Sequence, residues 1–349
     1  MVGKLKHALS QATILAAILA VPAIAQAQTK INLGTVQSFG AVTTYIARDK
    51  GYFKDVGLDV DIVDMNSSAN VLAILARGDL QIVEGGVSAG FFNALEQNLP
   101  VIMAADRVST PIGHEMIVAQ KNQGKITKLQ DLKGLTVGSN GPGSITTYEV
   151  GKMLEGAGMT LADVDIKILG FPQMGAALAS GALDAALVIP PFAASFRDQK
   201  IGYSIAEVDK LVKPSPMTIA VAFMNTEWAA KNKDVAQRFF VAYMRATRDY
   251  CVAYHHGSNR KEVIDIALKN GLDKSAESLE KNIWTGRTMD GVIKVDSLLD
   301  IQDYYKKVGL TKATFPANRI VTREFVDYAN AKLGPPPKVN PDSKLENCR

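Results

Sequence analysis

The chain is short of the groups that carry redox, metal or nucleophile chemistry. It has only two cysteines, Cys251 and Cys348, which excludes a four-cysteine metal site or iron–sulfur cluster. Its four histidines make no ligand set. His114-Glu115 begins like a zinc HExxH motif but lacks the second histidine, and the adjacent His255 and His256 point different ways on a helix. The glycine-bearing turn Ser139–Ser144 has no lysine for a Walker loop, and Thr146 stands where a dinucleotide fingerprint needs its third glycine. No nucleophile, base and orienting group fall into a recognisable pattern. Neither sign of charge dominates, at a formal +4 over 349 residues, and the charges are interspersed, so nucleic acid is not an expected partner. No cofactor, no metal and no catalytic step are expected.

What is present begins with an export signal. Lys4 and Lys6 precede an apolar run from Ala12 to Ala25, closed by Ala25-Gln26-Ala27. A basic start, a short apolar core and a small-x-small exit read as a secretory leader cleaved after Ala27. The alternative, a membrane anchor, needs a run of about 18 or more apolar residues, and this core is shorter. A periplasmic location follows. Without residues 1–27 the chain keeps 37 basic and 35 acidic residues, a balance of about +2. The remaining length suits two lobes rather than one core, and a hydrophobic fraction of 47% is that of a globular chain. In an oxidising compartment Cys251 and Cys348 are a plausible disulfide, which would pin the proline-rich tail 334–349. The alternative is two free thiols.

Along the mature chain, strand and helix alternate. Strand patterns at Ile31–Val36, Leu58–Val63, Leu80–Glu84 and Val101–Ala105 are separated by helices of about ten residues. The pattern restarts at Glu115 and runs to a short helix near Phe192–Gln199. Such alternation implies an α/β fold with mostly parallel sheets flanked by helices. After a strand at Thr218–Met224 the pattern is almost wholly helical. A weak internal repeat links the halves. Val60-Asp61-Ile62 precedes Gly78 by 18 positions, and Val164-Asp165-Ile166 precedes Gly181 by 17. Each glycine is placed to end a helix in the left-handed conformation. The reading is lobe 1 from 28–114 with 220–333, lobe 2 from 115–219, and a tail from 334 to 349.

Several stretches resemble one family. GYFKDVGLDVDIV, LARGDLQIVEGG, DLKGLTVGSNGPGSITTYEVGKMLEGAGMTLADVDIKIL and ALASGALDAALVIPPF are similar to solute-binding proteins of ABC transporters, of the nitrate/sulfonate/taurine and thiamine-precursor type. The resemblance covers about residues 31–250, most specifically Asp131–Val137 and Gly181–Ala186. One departure is Gln81 in lobe 1 where lobe 2 has Asp184, expected to bear on strand capping. The resemblance implies a type II periplasmic-binding-protein fold, a small-molecule ligand, a membrane permease as partner and a monomer. A fungal branch of the superfamily makes the thiamine pyrimidine, but with a cysteine-rich motif absent here. A periplasmic sensor domain would share every binding feature.

In such sheets ligands bind beyond the strand carboxyl ends, where helix N-termini expose free N–H groups. The candidate turns carry Gln37 and Phe39; Asn66, Ser67 and Ser68; Val87 and Ser88; and Asn140, Gly143, Ser144 and Thr146. Phe171, Pro191 and Phe192 are candidate apolar walls. Arg107 is the candidate partner for a carboxylate or sulfonate. The plainer roles are N-capping for the hydroxyl residues, core packing for the aromatics and a surface ion pair for Arg107. The expected ligand is a small organic anion of the sulfonate or aromatic carboxylate type; a thiamine-pyrimidine precursor is the alternative.

Overall fold

The computed structural model describes residues 28–68, 71–282 and 284–348. The leader reading, residues 1–27, lies outside the described residues. The first sheet takes β1 (Thr29–Val36), β2 (Leu58–Met65), β3 (Ile82–Gly86), β4 (Val101–Val108) and, from far along the chain, β10 (Ala220–Asn225), in the order β2-β1-β3-β10-β4. The second takes β5 (Glu115–Ala119), β6 (Thr136–Ser139), β7 (Asp165–Ile168), β8 (Ala185–Val188) and β9 (Gly202–Glu207), in the order β7-β6-β8-β5-β9. The two orders are the same arrangement. In each, three strands run parallel, and a strand on the connecting path enters antiparallel between the third and the last. The sheets are therefore mixed, because β5 and β10 each arrive from the opposite sheet's side.

The helices α1 (Val42–Asp49), α2 (Tyr52–Asp55), α3 (Leu72–Arg77) and α4 (Ala89–Glu96) belong to the first half, and α5 (Ile145–Gly156), α6 (Phe171–Ser180), α7 (Phe192–Asp198) and α8 (Val208–Leu211) to the second. Then follow α9 (Thr226–Lys231), α10 (Lys233–Tyr254), α11 (Arg260–Lys269), α12 (Ala276–Lys281), α13 (Val295–Lys307), α14 (Ala317–Ile320) and α15 (Glu324–Leu333). Gly78 and Gly181 close α3 and α6 at φ of 86° and 79°, the left-handed caps their positions imply. Gln81 and Asp184 do the same work in the two halves. Asn32 N–H donates to Gln81 Oε1 at 2.8 Å, and Thr136 N–H donates to Asp184 Oδ2 at 3.1 Å. A neutral and a charged acceptor thus satisfy equivalent backbone donors.

Helix α10 buries one aromatic face against the first sheet's side, where Phe53, Phe239 and Tyr243 stack. Each fully buried side chain of this kind contributes about 1.5–3 kcal/mol. One core cluster spans both sheets, joining Phe91 and Phe223 to Val118, Tyr148 and Leu187 through Tyr304 and Tyr305 of α13. That helix packs on both α4 and α5. The Tyr305 hydroxyl lies 3.1 Å from Val87 O on one side and 3.0 Å from Ser144 O on the other, and its one hydrogen is shared between these two acceptors. The two β crossings are thus reinforced by a third link that belongs to neither sheet.

Candidate functional site

The carboxyl ends of both sheets face each other across a narrow pit of about 50 Å³. From the first sheet's side it is lined by Ser38, Ser67, Ser68 and Arg107. From the second come Asn140, Ser144, Ile145 and Thr146 at the start of α5, and Phe171 at the start of α6. The unpaired N–H groups of those helix starts give the pit a partial positive potential. The facing turns already touch: Ala89 N–H donates to Gly143 O at 2.8 Å, and Asn140 Nδ2 reaches Asn66 O at 3.4 Å. Such a pit holds one or two water molecules' worth of space, far below the ~300–1,000 Å³ of a drug-sized site.

Arg107, on β4, is only 3% exposed. Its Nη2 donates to Val36 O at 3.0 Å and reaches Thr35 Oγ1 at 3.4 Å. Its Nε lies 3.9 Å from Glu84 Oε2 and makes no hydrogen bond to any described residue. Burial lowers its pKa, with Glu84 opposing; a guanidinium stays charged regardless. Glu84 accepts from Thr44 at 2.6 Å and Thr35 at 3.3 Å. The plainer alternative of a surface ion pair is therefore wrong for Arg107: its pair is buried. Next to it, burial pushes the Asp106 carboxyl up to about 6, against opposing bonds from Thr288 N–H and the Thr218 hydroxyl.

The hydroxyl cluster under the α5 start is self-satisfied. Ser139 Oγ lies 2.7 Å from Thr146, 2.9 Å from Thr147 and 3.2 Å from Ser144. These bonds fix rotamers rather than consume every lone pair, since each oxygen has two. His114 also lines the pit, its Nδ1 2.9 Å from the buried Glu149 Oε1 on α5.

Not every expected residue reaches the pit. Gln37 is exposed, and its amide points toward Gly271. Asn66 is exposed at the cleft mouth and meets Asn140 through its carbonyl. Val87 and Ser88 are fully buried below the surface, Val87 within the core cluster with its carbonyl oxygen 3.1 Å from the Tyr305 hydroxyl. Gly143, at φ 58°, turns its carbonyl to Ala89. Phe192 stacks on Phe171 with ring centroids 5.7 Å apart and supports that wall from behind. Phe39 and Pro191 instead line an adjoining antechamber of about 490 Å³ that shares Pro190 and Thr285 with the pit. Its apolar lining includes Trp284, edge-on to Phe39 at 5.2 Å, and Leu279. Its rim carries the Arg197–Glu115 ion pair.

Sequence reasoning missed Thr285 and Arg287. Thr285 is buried, lines both cavities, and its Oγ1 has no hydrogen-bond partner among the described residues. Arg287 lies with its guanidinium 3.7 Å above the Tyr250 ring and bonds the Thr43 hydroxyl, tying this segment to α1. Both stand on an irregular strip between two helices, which offers no periodic signal.

Two α/β lobes with matching strand order, a cleft at the strand ends and crossing strands between them define a periplasmic-binding-protein fold. A family model described as NMT1/THI5 like matches residues 39–254, and the chain belongs to that family. A formylaminopyrimidine-binding protein of Halalkalibacterium halodurans is 33% identical over 142 residues, 40% of this chain and 41% of that protein. The match thus spans about two fifths of that relative's length. The taurine-binding periplasmic protein of Escherichia coli is 27% identical, over 69% of this chain and 72% of its own. In fold, the nitrate-binding protein NrtA of Synechocystis superposes with a TM-score of 0.73 at 15% identity, covering 88% of this chain and 89% of that one.

Proposed function

We propose that this chain is the solute-capturing component of an ABC importer, working in the periplasm as a monomer that delivers its ligand to a membrane permease. Lobe 1 is 28–114 with 220–333, and lobe 2 is 115–219. The lobes close on a small organic anion, sulfonate or aromatic carboxylate, whose acidic group enters the pit. The observation that carries this reading is that donors from both sides meet there, two of them, Arg107 Nε and Thr285 Oγ1, buried and unpaired among the described residues. An acidic group satisfies both, and helix starts of α5 and α6 favour negative charge. The antechamber suits a planar or apolar remainder stacked near Phe39 and Trp284. The pit is too narrow for such a ligand to enter unless the lobes separate, so binding shifts an open–closed equilibrium.

A second reading has a specific observation behind it. Arg107 is balanced by Glu84, and behind the pit-lining His114 the buried Glu149 keeps one carboxylate oxygen without a partner among the described residues, which favours a neutral ligand bearing amino groups over an anion. A thiamine-pyrimidine precursor fits that description, as does the name of the Halalkalibacterium halodurans relative. A thermal-shift panel of taurine, benzenesulfonate, benzoate, nitrate and an aminopyrimidine separates the two. The anion reading expects stabilisation by at least one organic acid. Stabilisation by the aminopyrimidine alone overturns it.

A further inference from the structure

The strip that carries Thr285 is held from two directions. On one face it runs along the end of β4: Ser109 N–H donates to Gly286 O at 2.8 Å, and Thr110 pairs with Gly286 in an antiparallel bridge. On the other face lies the end of the C-terminal tail. Cys348 N–H donates to Arg287 O at 3.0 Å, and the Thr110 hydroxyl donates to Asn347 Oδ1 at 2.5 Å. A Cβ placed on Gly286 would lie 2.5 Å from Asn347 Cγ, so tail and strip are in direct contact there. Asn347 therefore bridges the strip and the strand it leans on.

The tail has little of its own to hold it in that place. Its sequence after Leu333 is rich in proline and charge and forms no helix or strand among the described residues. Three anchors fix its last turn. Cys348 is bonded to Cys251 in the last turn of α10, with the Cα atoms 5.0 Å apart. His255, fully buried at the end of the same helix, has Nε2 2.9 Å from Asn347 O and Nδ1 2.8 Å from Ser343 Oγ. The same helix also supplies Tyr250, whose hydroxyl donates to Thr285 O at 2.7 Å. The disulfide and the pit wall thus share one rigid support.

We propose that the C-terminal tail, pinned by the Cys251–Cys348 bond, is a positioning device for the binding site. Asn347 and Cys348 press the Thr285–Arg287 strip against β4 and hold the Thr285 hydroxyl at the pit wall. Ligand affinity then depends on a tail more than 60 positions downstream of the residue that touches the ligand. This inference rests on the proposed placement of the ligand in the pit, but one of its consequences does not. Trp284 adjoins the strip and lies beneath Arg260, whose guanidinium is 4.1 Å from its ring, so it reports the strip's position with or without ligand.

The test uses full-length mature protein carrying Trp228→Phe, which leaves Trp284 as the single tryptophan. Asn347→Ala keeps the disulfide; a second variant combines Cys251→Ser with Cys348→Ser; Asn347→Asp keeps an acceptor for Thr110. Acrylamide quenching of Trp284 and benzenesulfonate affinity are both read. The expected result is increased quenching and about tenfold weaker binding for the first two, with Asn347→Asp unchanged. Thr285→Val should weaken binding equally with quenching unchanged. Unaltered quenching in both tail variants overturns the inference, as does altered quenching with undiminished binding. If benzenesulfonate fails to bind even the parent protein, the anion reading falls, and the quenching alone then decides the tail's part. Should the double cysteine variant not fold, Asn347→Ala still gives the answer.

Discussion

At the scale of single residues, the site depends on buried charges that are paired but incompletely hydrogen-bonded. Arg107 is held against Glu84, so deleting its charge would strand a buried carboxylate, at about 3–5 kcal/mol. Arg107→Lys keeps the charge and loses the planar fork. We expect it to leave folding nearly intact and to weaken benzenesulfonate binding about tenfold, by isothermal titration; undiminished affinity would remove Arg107 from the site. Asp106 carries a pH dependence. Its folded pKa of about 6 lies above the ordinary 3.8, so its stabilising protonated form is fully present below about pH 4 and is lost as pH rises through 6. The loss amounts to about 3 kcal/mol. Asp106→Asn should therefore flatten the fall in urea stability between pH 4 and 7, and a parallel fall in both proteins would refute the assignment. Among the pit-lining residues, Ser67, Ser68, Arg107, Asn140, Ser144, Thr146 and Phe171 were legible, because each lies at a strand's carboxyl end or in the turn and helix start that follow one. Thr285 was not. Its placement comes from packing against β4, some 175 positions earlier, and nothing local announces it.

At the scale of elements, long helices were easiest to read. The apolar periodicity of α10 and α13 sets their limits at Lys233–Tyr254 and Val295–Lys307, where the structure also has them. Strand β9 escaped notice because GYSIAE is an edge strand of half-buried residues, with neither a clean alternation nor a continuous apolar run. The partners of α13 were equally hidden. Its periodicity shows that one face is buried but not that the face is shared between α4 and α5. That sharing gives a prediction. Tyr305→Phe removes the hydroxyl that bridges Val87 O and Ser144 O, and should cost about 1–3 kcal/mol in urea unfolding. It should also shift the lobes toward the open form, seen as a larger radius of gyration in solution scattering. A stability loss with no change in radius would make this tyrosine a packing residue only.

At the scale of the whole molecule, the repeat visible as two short matches becomes two sheets of the same strand order, with Gln81 and Asp184 in equivalent roles. The sequence shows the halves; it does not show how near they stand. Contacts such as Ala89 with Gly143 close the pit, and the antechamber beside it keeps ligand-sized space. Function on this account is mechanical, with the two halves parting to admit a solute and closing over its acidic group. The most direct test is a crystal structure grown with the organic acid that gives the largest thermal shift. The account predicts its acidic group within hydrogen-bond distance of Arg107 and Thr285, touched by residues from both sheets. Density confined to the antechamber or the outer surface, with the pit residues uncontacted, would contradict it.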